Sequence, residues 1–478
     1  MKDYTNYDAM GLAELVAKKE VSAEELLDDA LSRAEKARDE LNCVSALFPE
    51  IAKAQLADGL PDGPLSGVPF MTKDLAVEIK GAPLTNGSRL FRDNVADRDS
   101  TLVERYRKAG LLLFGQTTSP EYGLTTSTES ALFGQTANPW NTERTSGGSS
   151  GGASAAVSSG VLPLAQASDG GGSIRIPAGC TGLFGMKPSR GRIPQGPAKT
   201  ENWYGLSTVH AVSRSVRDSA ALMDVTHGPE TGSRYHANPV YPGFLDQLKT
   251  RPSGLKVAVW TTAPNGTKPD AEAQQGIDET VKLLEGLGHI VEESDPGLDG
   301  AKLGKSLVMV ISGNIAAMVD DYAASLGRKV QEDDLEPLTH DMANLGRRVP
   351  MSEMVRADLA FQEAAVKYER WMDEGGYDVV LMPTISQEPM KLGELSLSRA
   401  DKDAYNEAVT TFAPHTAVYN MTGCPAMSVP LHWSSNNLPI GMMFGARYGD
   451  EGLLYRLAAQ LEEAKPWFNH TPPIFYDD

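Results

Sequence analysis

Two serines in glycine-rich surroundings, Ser149 in GGSSGG and Ser173 in GGGSIR, stand in one block over residues 146–191. Far upstream, Lys73 ends the apolar run SGVPFMTK and is followed by Asp74. Glycine beside serine lets a backbone approach a small substrate closely and turns successive N–H groups one way. Such a place can hold an activated serine together with an oxyanion hole. A serine hydroxyl is a poor nucleophile until a neighbour takes its proton. Lysine does this only when neutral, and an unperturbed pKa near 10.4 leaves roughly one in a thousand neutral at pH 7.4. Burial disfavours the ammonium, and Phe70, Met71 and Leu75 around Lys73 predict a buried position. The competing expectation for Lys73 is an ion pair with Asp74 or another acid. Together these residues point to hydrolytic chemistry without a catalytic histidine.

Other readings of the block fare worse. A flexible Gly/Ser linker does not carry the helix-compatible Ala153, Ala155, Ala156 and Val157, nor an apolar strand over 161–167. A phosphate-binding Walker loop needs a lysine after its last glycine, and none follows here. Gly147-Gly148-Ser149-Ser150-Gly151 does satisfy G-x-S-x-G, the nucleophile elbow of Ser-His-Asp hydrolases. That elbow follows a buried strand, whereas Ser149 follows the polar NPWNTERTS, and none of the eight histidines has a distinctive setting.

These residues must be held by an alternation of helix and strand. Ser22 with Glu25 forms a capping box, and Leu26, Leu27, Ala30, Leu31 and Ala34 keep a helical period behind it. A helix over 101–109 stopped by Gly110 precedes a short apolar strand over 111–114. The same alternation returns as strand 255–260, helix 277–287 and strand 290–293, then helix 354–371 and strand 379–382. Strands 426–431 and 440–444 and a helix over 452–464 complete it. This is the signature of an α/β sheet. The Pro- and Gly-rich stretch over 227–254 reads as an excursion, so 1–478 is expected to form a single domain on a mixed sheet.

Bulk properties narrow the class. The chain has 478 residues, 41% of them hydrophobic and 22% charged, enough for an ample core. The net charge of -19 argues against nucleic acid or an anionic membrane as partner. No uninterrupted run of eighteen apolar residues suggests a membrane span. Cys43, Cys180 and Cys424 are isolated, which argues against a zinc site or a disulfide framework. With an opening stretch that lacks a basic-then-apolar pattern, they set the expectation of a cytoplasmic protein without metal.

The block resembles the signature of the amidase signature family: GGSSGG, then GGSIRIPA, then the tail KPSRGR. SGVPFMTKDL is similar to the family's lysine motif and FGQTANPWNTERTSGGSSGG to its approach to the first serine. VSRSVRDSAALMDV, YDVVLMPT and GCPAMSVP resemble its later segments, so the likeness spans residues 10–465 with a signature core over 65–215. The resemblance implies one large α/β domain, a mixed sheet covered by helices on both faces, and no cofactor. It implies Ser173 as nucleophile, Ser149 as bridging serine after a cis peptide, and Lys73 as base. The oxyanion hole would be the backbone N–H groups of Gly170, Gly171, Gly172 and Ser173. Ser150 would be a structural hydrogen-bonder, and Asp169 and Arg175 would orient the loop, a direct grip by Arg175 on a substrate carboxylate being the lesser alternative. Where relatives often carry a threonine, Gly170 removes a side chain, which predicts a wider site. Tyr122, Leu124, Trp203 and Tyr204 lie near the motifs and are expected to form an apolar or aromatic pocket. The implied substrate is a small amide, anilide or carbamate, with esters in reach and homodimerisation compatible; within the family, GGSIRIPAGCTGLFGMKPSRGRIPQGP looks nearest to free-standing bacterial amidases, 6-aminohexanoate cyclic dimer hydrolases among them. The alternatives are a glutamyl-tRNA amidotransferase A subunit working in a complex, a Ser149 elbow hydrolase, and an inactive binding protein on the same fold.

Overall fold

The helix that begins at the capping box forms as its local sequence predicts. In a computed structural model, which describes residues 3–477, α1 (Ala23–Leu41) starts where the Ser22 hydroxyl and the Glu25 carboxylate each accept from the other's backbone N–H. Its apolar stripe of Leu26, Leu27, Ala30 and Ala34 is fully buried. Strand β1 (Val44–Leu47) follows. It pairs antiparallel with β3 (Leu112–Thr117), which runs parallel to β2 (Pro69–Lys73). Between β2 and β3, α2 (Thr101–Lys108) ends before Gly110, whose φ of 82° continues no right-handed helix.

The main sheet has eight strands: β4 (Leu164–Asp169), β5 (Phe184–Lys187), β6 (Thr208–Ser213), β7 (Lys256–Val259), β8 (Ile290–Glu293), β9 (Val379–Pro383), β10 (Ala426–Val429) and β11 (Met442–Gly445). Their order across the sheet is β8-β7-β9-β11-β10-β5-β6-β4. The pairs β7–β8 and β7–β9 are parallel and the remaining five are antiparallel, so the sheet is mixed. Strands β4, β5, β6, β9, β10 and β11 are buried along their whole length, as expected of strands covered on both faces. Among the covering helices are α3 (Gly151–Ser158), α4 (Arg175–Thr181), α5 (Ala271–Gly286), α9 (Thr416–Thr422) and α10 (Glu451–Ala464). The three-stranded sheet meets the edge strand β4 through a side chain: Gln166 accepts from the Lys73 N–H at 2.7 Å.

A further group of helices, α6 (Gly300–Ser325), α7 (Pro337–Gly346) and α8 (Met351–Gly375), packs together beside the sheet. By length and composition α6 is apolar enough to cross a membrane. In this fold its Ile315 and Val319 are buried in a small cluster with Leu90, Phe91 and Tyr122. The three cysteines are buried and unpaired.

Candidate active site

Lys73 is the last residue of β2, and its side chain is completely buried, at 0% exposure. Its amine lies 2.7 Å from Ser149 Oγ, 3.1 Å from Ser150 Oγ and 3.1 Å from Ser168 Oγ. Ser149 and Ser150 arrive together because the chain turns sharply ahead of α3, through the cis Gly148–Ser149 peptide that the resemblance implied. Ser168 comes from β4, beside β2. Burial pulls the Lys73 amine down to about 7, and the charge of Asp169 opposes this only in part. The expected ion pair with Asp74 does not form. Asp74 instead accepts from the Thr85 N–H at 2.7 Å and from the Thr85 hydroxyl, and burial raises its carboxyl to about 6.

Ser173 lies at the other end of the loop joining β4 to α4, 8% exposed against 2% for Ser149. Both serines line one cavity of about 320 Å³. Among the described residues no hydrogen bond joins their two hydroxyls, so the chain of contacts from Lys73 reaches Ser149 and stops there.

The loop between them is shaped by a buried ion pair. Asp169 accepts from the N–H groups of Gly172 (2.8 Å) and Ile174 (3.1 Å), from Arg175 Nη2 (2.8 Å) and Nε (2.9 Å), and from Asn420 Nδ2 (2.9 Å). Burial works against its ionisation, yet the Arg175 charge and hydrogen bonds hold the carboxyl at about 2. Arg175 is fully buried and also donates to Thr416 O and Asn420 Oδ1. It orients the loop and has no exposed face for a substrate carboxylate. Thr416 at the start of α9 donates to Gly171 O at 2.7 Å. Gly172 has φ 138°, and a Cβ there would sit 2.5 Å from Thr416 Oγ1, so only glycine fits.

Two expectations about this loop change. The Gly172 N–H is taken by Asp169 and leaves the oxyanion-hole set. Among the described residues nothing accepts from the N–H groups of Gly170, Gly171 or Ser173, which are the donors that remain. Gly170 does not open extra room either, because the Trp203 indole already packs there, 2.8 Å from where a Cβ would stand.

The cavity wall carries Leu84, Phe91, Tyr122, Trp203, Met318 and Tyr322 on its apolar side and Asn86, Asn94, Gln195 and Asn202 among its polar groups. Tyr122 and Trp203 were expected. Leu124 and Tyr204 do not line it: Leu124 packs against the cluster around Phe91, and Tyr204 against the one around Trp260. The sequence reading missed Ser168 as a partner of Lys73 and missed Met318 and Tyr322, one helical turn apart on α6. The 318/322 spacing is a detectable signal of a shared face, but nothing local ties that face to residues two hundred positions upstream.

The histidines are elsewhere. His210 bonds to Ser219 and Tyr455, His289 to Gln460 and His432 to Glu279, while His415 packs edge-on to Trp260. Among the described residues no histidine lines the cavity or bonds to Ser149 or Ser173. The segment before Ser149, Asn141–Thr145, is a largely exposed strand of a two-stranded ribbon rather than a buried sheet strand. Both findings remove the basis for an elbow.

Comparison with known proteins identifies the family. The family profile described as Amidase matches residues 25–455. A 6-aminohexanoate-cyclic-dimer hydrolase from Paenarthrobacter ureafaciens is 34% identical over 98% of this chain and 96% of its own. The solved structure of a 6-aminohexanoate cyclic dimer hydrolase complexed with substrate superposes with a TM-score of 0.93 at 33% identity, covering 99% of this chain and all of that one. A bacterial aryl acylamidase of the amidase signature family superposes with a TM-score of 0.87 at 27% identity, covering 96% of each chain. The chain is a single-domain member of the amidase signature family, a hydrolase acting on amide carbon–nitrogen bonds.

Proposed function

We propose that this hydrolase works through an acyl-enzyme on Ser173, with Ser149 passing protons between Ser173 and Lys73. The observation that carries the reading is the buried Lys73 amine, 2.7 Å from Ser149 Oγ on a cavity that Ser173 also lines. A neutral amine has two hydrogens and one lone pair. With Ser150 and Ser168 as acceptors for the two hydrogens, the lone pair is left for the Ser149 proton. Ser150 suits this role because its own hydroxyl donates to Ser168 O at 3.2 Å, so its oxygen faces the amine as an acceptor.

The Ser173 oxygen then attacks the substrate carbonyl while its proton moves to Ser149 and the Ser149 proton to Lys73. The oxyanion faces the N–H groups of Gly170, Gly171 and Ser173, which are unengaged and aligned by the Asp169–Arg175 pair. Collapse returns the proton through Ser149 to the leaving nitrogen and breaks the carbon–nitrogen bond. Water releases the acyl group by the same steps in reverse.

The substrate class we infer is a small amide, anilide or carbamate with an apolar or aromatic part, esters being within reach of the same chemistry. The aromatic and aliphatic wall supports the apolar part, and the carboxamide side chains supply neutral hydrogen-bonding groups. The test is a panel of aryl amides, aliphatic amides, carbamates and esters on the isolated chain, with labelling by a small fluorophosphonate. Turnover of aryl or lactam amides without any partner supports the reading. Activity only in a multisubunit complex supports the amidotransferase alternative instead.

A further inference from the structure

Glu121 is a buried carboxylate that the mechanism above does not use. It is 1% exposed, and it does not line the cavity. One of its oxygens accepts from the Ser88 hydroxyl at 2.7 Å, and the other accepts from the Glu336 N–H at 2.8 Å. Each contact leads to a different part of the cavity wall.

Ser88 stands directly before the short 3-10 helix Arg89–Phe91, whose Phe91 faces the cavity. Glu336 stands directly before α7, which packs on α6, the helix that presents Met318 and Tyr322. Glu121 itself is followed by Tyr122, whose backbone is left-handed at φ 51° and whose N–H donates to Asn86 O at 2.8 Å. The next residue, Gly123, reaches the bridging serine: a Cβ there would lie 2.9 Å from Ser149 Oγ.

Of the three rings reached in this way, Phe91 touches both of the others. Phe91 stacks on Tyr322 with centroids 3.6 Å apart, and it meets Tyr122 edge-on at 5.8 Å. They form one side of a small apolar cluster, separate from the main core, that joins the β2–α2 and β3–α3 connections to α6 and α7. Apolar packing is non-directional and by itself leaves the relative position of three independent segments loosely set. The Tyr122 N–H bond to Asn86 O orients two of them, and the two bonds to the Glu121 carboxylate add the tie to α7.

We infer that Glu121 is a positioning residue for substrate selection: its carboxylate ties the segments carrying Phe91 and Tyr122 to the start of α7, which packs on the helix carrying Tyr322, and so sets the aromatic side of the cavity. This rests on the reading of the cavity as the substrate site of an acyl-enzyme at Ser173. Loss of the carboxylate lets the ring wall drift; Lys73, Ser149 and Ser173 make no bond to it, and Ser149 is held separately by Lys73, so the labelling rate reports whether the Gly123 contact with Ser149 is kept.

The test is steady-state kinetics of Glu121→Ala, Glu121→Gln and Ser88→Ala on an aryl amide and on a short aliphatic amide, together with the rate of fluorophosphonate labelling. The expected result for Glu121→Ala is a KM for the aryl amide raised about tenfold or more, with kcat, labelling rate and aliphatic turnover within about twofold. Glu121→Gln keeps an oxygen acceptor and should recover part of that loss. Ser88→Ala removes one of the two bonds to the carboxylate, along with a weaker one to Asp334 O at 3.5 Å; it should shift KM in the same direction by less, and serves should Glu121→Ala fail to fold. Equal losses on both substrates, or an unchanged KM for the aryl amide, overturn the inference. Absence of labelling in the unsubstituted enzyme would instead sink the acyl-enzyme reading, so the two failures are distinguishable.

Discussion

Lys73 Nζ and Ser149 Oγ are 2.7 Å apart, and among the described residues no carboxylate forms an ion pair with that amine. Asp169 acts on it only at a distance, because its oxygens are committed to Arg175, Asn420 and the loop N–H groups. The amine is therefore held by three serine hydroxyls at full burial, and burial decides its protonation.

Burial brings Lys73 to about 7, and only its neutral form accepts a proton. Turnover limited by chemistry should rise about tenfold per unit on the acid side and level off above that value. Lys73→Met should remove both the activity and this limb. A profile flat between pH 6 and 9 would contradict a lysine base.

Ser168 should tune that limb. Its hydroxyl accepts from Lys73 at 3.1 Å, and an acceptor bonded to a charged form favours that form. Ser168→Ala should move the acid limb to lower pH and reduce kcat by about tenfold through lost orientation. Ser168→Thr should restore both. The pH–rate profiles of the three proteins check this.

The Asp169–Arg175 pair should dominate the acid stability of the loop. With the folded carboxyl at about 2 against 3.8 unperturbed, its contribution is present above 3.8 and is lost as the pH falls from there towards 2. Asp169→Asn leaves Arg175 buried without its counter-charge, which costs about 3–5 kcal/mol. Urea unfolding at pH 7 and pH 3 reads both effects: the variant should be less stable at pH 7 and should lose less on acidification.

Gly170 and Gly172 should respond differently to alanine. Gly172→Ala places a Cβ 2.5 Å from Thr416 Oγ1 on backbone at φ 138°. It should cost at least 10²-fold in kcat, on the order of losing an oxyanion donor. Gly170→Ala pushes on the Trp203 ring at 2.8 Å. It should alter KM among substrates while fluorophosphonate labelling persists, and adding Trp203→Ala should relieve it.

How much of this was legible depends on whether the cause was local. The Ser22–Glu25 capping box and the Gly110 stop lie within a few residues of what they control: the first helix begins where read, and the second begins at Thr101 and ends one residue before the expected 109. Val44–Leu47 is too short to announce itself and is a strand because β3 pairs with it. The amine–serine contact was reachable because the glycine-rich motifs resemble those of a known family. The wall was not. Tyr122 and Trp203 face the cavity while Leu124 and Tyr204 turn away, because left-handed backbone at Tyr122, Trp203 and Tyr204 breaks any simple periodicity. Met318 and Tyr322 come from a helix far along the chain, placed by packing alone. Likewise, nothing in SDGGGS reveals that Asp169 claims the Gly172 N–H.

The central claim is tested most directly by quenching the enzyme during turnover of a slowly deacylated carbamate and locating the adduct by mass spectrometry. Ser149 and Ser173 both lie between Arg144 and Arg175, so fragment ions rather than peptide mass must assign it. One acyl group is expected on Ser173, none in Ser173→Ala, with formation slowed at least about 10³-fold in Ser149→Ala. An adduct on Ser149, or turnover with no adduct on either serine, would contradict it.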